Sequence, residues 1–166
     1  MIREPPIRLD ARLAPLPSRL RPAYAMGMTP VMTIEQLADF FVAAFPGIAT
    51  ERHAGIVEIM PGRVRLRLEP DEASLRPGGI VSGPTQMGLA DRAAYAAILA
   101  HIGPVAMAVT SNLNMSFLRA VEYASVMADA ELIKLGRRLA TVDVRLWQDD
   151  PGRVLAQATV TYAIPG

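Results

Sequence analysis

Residues 84 to 100, PTQMGLADRAAYAAILA, constrain this chain more than any other stretch. Read at 3.6 residues per turn, Ala, Leu, Met and Ile fall on almost every side, interrupted by Gln86, Asp91, Arg92 and Tyr95. A helix that is apolar nearly all round has to be covered nearly all round. The rest of the chain must therefore supply a wrapper rather than one facing layer. Ser82 can cap such a helix, and Pro84 suits its first turn, where a missing N–H costs nothing. One residue argues with the rest: Asp91 is an acid set in the middle of what reads as core.

The flanking segments read as that wrapper. TIEQLADFFVAAFPG (33 to 47) opens on a capping Thr and spaces Ile34, Leu37, Phe41 and Phe45 for a short amphipathic helix, which Pro46 and Gly47 end. AGIVEIMPGRVRLRLEP (54 to 70) alternates Val64, Leu66 and Leu68 with Arg63, Arg65 and Arg67, and its Pro61–Gly62 pair reads as a turn between two strands. The arginines are expected on a wet face. After HIGP the period becomes two: in VAMAVTSNLNMSFLR (105 to 119), Val105, Met107, Val109, Ser111, Leu113, Met115 and Phe117 share one face. Ala106, Ala108, Thr110, Asn112, Asn114 and Ser116 share the other, which is small and polar. Three further strands follow within 125 to 136, 137 to 148 and 153 to 165, joined by a Gly136 turn and by DDPG, so they pair antiparallel. The expected fold is an α+β domain in which a sheet of about five to six antiparallel strands wraps a long helix, with a short helix ahead of it.

Composition narrows the function. With 166 residues the chain fits one domain, and an Arg- and Pro-rich leader over 1–31 is expected ahead of a domain spanning 32–166, as a disordered tail, an overcalled start or a binding arm. A net charge of +1 does not suit a binder of nucleic-acid backbones. No cysteine is present, which removes disulfides, thiolate metal sites and cysteine nucleophiles and points to a reducing cytoplasm. The two histidines, His53 and His101, lack metal-ligand spacing, and both are expected at element ends without chemistry. No cofactor, metal, signal peptide or membrane span is expected. A hydrophobic fraction of 51 % suits a chain that hides surface against copies of itself, as an oligomer.

From about Glu51 to Pro165 the sequence resembles the hotdog-fold acyl-CoA thioesterases of the phenylacetate-pathway (PaaI-like) type. The resemblance rests on GGIVSGPTQMGLADRAAYAA, AVTSNLNMSFLRA, ELIKLGRRLATVDV and AQATVTYAIP, in that order. It implies a hotdog fold, assembly into a homodimer or homotetramer by joining sheets edge to edge, and hydrolysis of an acyl or aryl-acyl thioester to free acid and coenzyme A. Asp91 then stands where relatives carry the acid that activates water or attacks the carbonyl itself. Helix N-termini offer unpaired N–H groups where an oxyanion develops, and Gly83 N–H is the expected donor because Pro84 has none. Thr110 matches a residue that positions the attacking water in relatives. KLGRR matches the segment that grips coenzyme A phosphates, so Lys134, Gly136, Arg137 and Arg138, with Asn112, are the expected substrate contacts. Two positions depart from the commoner pattern: Ser82 replaces a His, and Arg76 stands where some relatives have a water-orienting Asn.

Each of these residues also has a plainer reading. Asp91 could pair with a strand arginine, and Ser82 could be a helix cap, a nucleophile, or both in turn. Thr110, Asn112 and Asn114 could line a seam between subunits, and KLGRR could be a solvated turn. The lost His and Arg76 leave open a binding module that holds acyl-CoA without cleaving it. A hotdog hydratase or dehydratase is the third alternative, although no His stands beside Asp91.

Overall fold

The computed structural model describes residues 28–46 and 55–166. Residues 1–27 of the expected leader, with Gly47 and His53, lie outside them. Helix α1 (Ile34–Ala44) starts on a full capping box, in which the Thr33 hydroxyl accepts from Gln36 N and the Gln36 side chain accepts from Thr33 N. Its buried residues are Leu37 and Phe41, one turn apart. Strands β1 (Ile56–Met60) and β2 (Arg63–Leu68) form the expected hairpin, and Gly62 supplies the positive φ (71°) that its turn requires. A single 3₁₀ turn (Glu72–Ser74) and a miniature hairpin, β3 (Leu75–Arg76) with β4 (Ile80–Val81), then lead into helix α2 (Gly83–Ile102). The chain finishes with β5 (Val109–Phe117), β6 (Val126–Leu135), β7 (Leu139–Trp147) and β8 (Ala156–Ala163).

Six strands form one antiparallel sheet in the order β1-β2-β6-β7-β8-β5, and α2 packs across its concave face. This is the hotdog arrangement. Alternation along β6, β7 and β8 sends Ala128, Ala130, Leu132, Ala140, Val142, Val144, Ala156, Ala158 and Val160 inward, all fully buried. They meet Ala90, Ala93, Ala94, Ala96, Ala97 and Ala100 of the helix, also fully buried. Small residues on both surfaces let backbone approach backbone, which is how a six-stranded sheet can close around one helix at interior packing density. No helix of the described residues is long and apolar enough to cross a membrane.

The wrapping is less complete than the composition of α2 suggests. From Ala93 to His101 every residue is buried, but Pro84, Met87 and Gly88 are exposed and Asp91 and Arg92 are half-buried. These positions recur at three- and four-residue spacing, so they form one stripe along the N-terminal half of the helix. Asp91 therefore lies at the edge of the core and not within it.

Two strand-face expectations are corrected. Arg63 and Arg65 do not form a wet face. Both are buried, and the Asp129 carboxylate receives Arg65 through Nε and one terminal nitrogen, Arg63 at 3.3 Å and the Trp147 indole N–H at 3.1 Å. The Arg65 guanidinium also stacks 5.1 Å from the Trp147 ring centroid. Buried charges persist where they are paired in this way, and only Arg67 remains exposed, beside Glu69. The second correction falls on β5, where a bulge between Thr110 and Asn112 shifts the register against β8. One extra residue reverses the alternation. Thr110 faces the helix with Leu113, Met115 and Phe117, while Asn112, Asn114 and Ser116 face outward.

His101, near the end of α2, ties helix to hairpin. Gly62 N–H donates to its Nε2 at 2.8 Å, and its Nδ1 lies 2.7 Å from the Ala97 carbonyl, so the ring is neutral with its proton on Nδ1. Burial, the largest influence, lowers its pKa from the ordinary 6.5. A proton on Nε2 would face the Gly62 N–H. The unfolded chain takes up that proton first, so this contribution is complete above pH 6.5 and lost as pH falls below it. Thermal melting between pH 8 and 5 is expected to show a decline that is shallower in His101→Gln than in the wild-type chain; parallel declines would remove His101 as the cause.

Candidate active site

Asp91 sits two turns into α2, where the exposed stripe meets the end of β5. Its Oδ1 accepts the Thr110 hydroxyl at 2.7 Å and the Tyr162 hydroxyl at 2.8 Å, and Tyr162 also reaches the Asp91 backbone carbonyl at 3.2 Å. Thr110 and Tyr162 are direct register partners on β5 and β8, so two adjacent strands deliver both donors to one oxygen. No donor among the described residues reaches Oδ2, and no Arg or Lys among them pairs with the carboxylate. The acid is thus oriented by one oxygen and left open at the other. Burial raises the Tyr162 phenol well above its ordinary 10.0, and the adjacent Asp91 charge adds to this. Tyr162 therefore stays protonated and acts only as a donor toward Asp91.

A cleft of about 420 Å³ opens at this carboxylate. Asp91, Thr110 and Tyr162 make its polar end, and Tyr95, Phe41 and Phe45 make an aromatic one. Tyr95 lies one turn beyond Asp91 on the same face of α2. Its ring stacks on Tyr162 with centroids 5.5 Å apart and 11° between planes, and its hydroxyl donates to the Ala106 carbonyl at 3.2 Å. Among the described residues no group of His, Cys, Asp and Glu is placed to hold a metal ion.

At the start of α2, Ser82 is the cap. Its hydroxyl accepts from Thr85 N and lies 2.9 Å from the Thr85 hydroxyl, while its carbonyl accepts from Gln86 N. Pro84 has no N–H. Gly83 N–H is consequently the one first-turn donor with no partner among the described residues. A Cβ on Gly83 would lie 3.4 Å from the Phe117 ring, so that ring stands directly over the helix start.

The remaining expected residues are not gathered at the cleft. Asn112 is exposed on the outer face beyond the bulge, and Arg76 is exposed on β3. Lys134, Arg137 and Arg138 are exposed around the β6–β7 turn, in which Gly136 N–H donates to the Leu139 carbonyl at 2.9 Å. A Cβ at Gly136 would come within 3.1 Å of that oxygen, which accounts for the glycine. The turn lies at the Tyr162 end of the sheet, since Ala140 pairs with Tyr162 and Ile164 N–H donates to the Arg138 carbonyl. Sequence reasoning missed Tyr162, Tyr95 and the contribution of α1. A signal for Tyr162 existed: alternation from Ala156 through Ala158 and Val160 turns position 162 inward, where a phenol needs an acceptor.

The family model of the thioesterase superfamily matches residues 78–161. A protein of Silicibacter sp. TM1040, described as a putative thioesterase, is 38 % identical, with 84 % of this chain and 96 % of that one covered and a TM-score of 0.74. A mutant of the phenylacetic acid degradation protein PaaI from Thermus thermophilus is 27 % identical, over 66 % of this chain and 91 % of that one, with a TM-score of 0.59. A Thermoplasma acidophilum protein named as a putative esterase is 26 % identical over 106 residues, which is 64 % of this chain and 79 % of that one. The chain belongs to the thioesterase superfamily.

Tyr162→Phe leaves Asp91 Oδ1 with one donor in place of two. Hydrogen bonds to charged groups contribute about 1.5–3 kcal/mol, so denaturant unfolding is expected to show a loss near the lower end of that range for this half-exposed acceptor. An unchanged midpoint would mean that the phenol contributes packing alone.

Proposed function

We propose that this protein is an acyl-CoA thioesterase in which Asp91 is the general base or nucleophile and Gly83 N–H is the oxyanion donor. The observation that carries the reading is the Asp91 carboxylate: it is fixed through Oδ1 by two neutral donors, met at Oδ2 by no donor among the described residues, and set at the polar end of a cleft whose other end is aromatic. Oδ2 can take a proton from the water that adds to the thioester carbon, or attack that carbon itself to form an anhydride that water then cleaves; in both routes the C–S bond breaks and coenzyme A leaves as the thiol. Thr110 holds the acid and stands beside the attacking water. Ser82 supports the site as the cap that leaves Gly83 N–H free. Lys134, Arg137 and Arg138 supply cations for the coenzyme A phosphates at the Tyr162 end of the sheet, with Gly136 allowing their turn and Asn112 on the outer face of β5.

Geometry also favours a multi-subunit enzyme. Gly83 and Asp91 are eight residues apart on one helix, about 12 Å along its axis, so a single carbonyl cannot touch both within one chain. Strand β5 is an edge of the sheet, with the Asp91 contact at its Thr110 end and the Gly83 contact at its Phe117 end. A two-fold antiparallel pairing of two β5 edges near Leu113 sets the Thr110 end of one copy beside the Phe117 end of the other. Acid and amide donor then meet across the seam. The exposed helix stripe and the exposed Met107, Val109, Phe117 and Leu118 suit coverage by a second copy.

Asp91→Asn is expected to lower kcat by at least about 10²-fold, the lower end of what general-base catalysis contributes, with folding and assembly unchanged. Thiol release from a panel of acyl-CoAs, followed colorimetrically, is the measurement. Undiminished turnover by the variant would end the mechanism. Light scattering is expected to give a dimer or a multiple of it, and an active monomer would end the shared-site geometry.

A further inference from the structure

We infer that helix α1 is the end wall of the acyl pocket and that Phe45 is the residue that limits acyl length. This inference rests on the thioesterase reading above for the position of the reacting carbonyl. The exposed stripe of α2 runs from Pro84 through Met87, Gly88, Asp91 and Arg92, yet the next position on that face, Tyr95, is 5 % exposed. What covers Tyr95 is α1. The Phe41 and Phe45 rings lie 5.7 and 6.2 Å from the Tyr95 ring, the latter edge-on, and Phe40 lies 6.4 Å away. An acyl group whose carbonyl sits at Asp91 and whose tail follows the helix has one turn, about 5.4 Å, before it passes Tyr95 and meets these rings.

The two rings of α1 differ in a way that separates structure from selection. Both line the cleft, but Phe41 is 1 % exposed and anchored in the core, whereas Phe45, at the C-cap, is 40 % exposed. The Phe45 ring borders the cleft edge-on to Tyr95, where its size sets the space left to an apolar tail. The wall is also separate from the part of the chain that defines the family, since the match spans 78–161 and α1 ends at Ala44. The pocket so bounded takes an aryl or short alkyl acyl group; a long alkyl chain runs into Phe45.

The experiment compares kcat/KM for butanoyl-CoA, phenylacetyl-CoA and dodecanoyl-CoA in the wild-type protein, Phe45→Ala and Phe45→Trp, with Leu37→Val, buried on α1 and outside the cleft, as a core control. Phe45→Ala is expected to raise the dodecanoyl-to-butanoyl ratio by about tenfold, the discrimination that a change of pocket depth commonly gives, and Phe45→Trp to lower it. The same length series as non-hydrolysable thioether analogues, measured by calorimetry, gives an affinity profile that does not need turnover. A ratio that is the same in all Phe45 variants overturns the wall. If the wild-type protein hydrolyses none of the thioesters, the thioesterase reading fails, and the calorimetric profile alone then decides whether Phe45 limits tail length.

Discussion

Backbone proximity between one helix and a curved sheet underlies everything else in this fold. Alanines on α2 meet alanines and valines on β6, β7 and β8, so the helix axis comes close enough for six strands to curve around it. Larger residues at those positions would push the sheet away and open gaps that interiors do not tolerate. Because the sheet closes tightly over the C-terminal half of α2 and less completely over the N-terminal half, a stripe of helix remains open. That opening leaves Asp91 within reach of solvent and ligand, whereas a carboxylate sealed among alanines could neither stay charged nor meet a substrate.

The polar groups of the site follow from the same enclosure. Sheet pairing places Thr110 and Tyr162 side by side at the rim, and both donate to one oxygen of Asp91. The bulge in β5 is what turns Thr110 toward the helix while the rest of the strand keeps its apolar residues inward. At the other end of the same strand, Phe117 lies over Gly83, the one first-turn amide without a partner among the described residues. A single strand thus marks both ends of the proposed site, and its unpaired edge is where a second copy would complete it.

Aromatic packing links this centre to the N-terminal helix. Tyr162 stacks on Tyr95, and Tyr95 is covered by Phe41 and Phe45. The ring that positions the acid is therefore held by rings that also close the cleft, and a change in α1 can reach Asp91 through three successive contacts.

Much of this was readable in the chain itself. The all-round apolar helix, its Ser82 cap and Pro84 start, the Pro61–Gly62 and DDPG turns and the period-two strands fixed an α+β domain with a wrapped helix, because local propensity and pattern agree at each of those segments. Asp91 stood out as the one acid on that helix. Other features depended on contacts between distant segments. The pairing of β5 with β8 instead of β6, the bulge that reverses Thr110 relative to Asn112, and the burial of Arg63 and Arg65 against Asp129 and Trp147 each require knowing which strand lies beside which. Period-two alternation gives faces only while the register is unbroken, and charge alone does not say whether a partner waits across the sheet. For the same reason Tyr162, 71 residues from Asp91, could be recognised as its hydrogen-bond donor only in three dimensions.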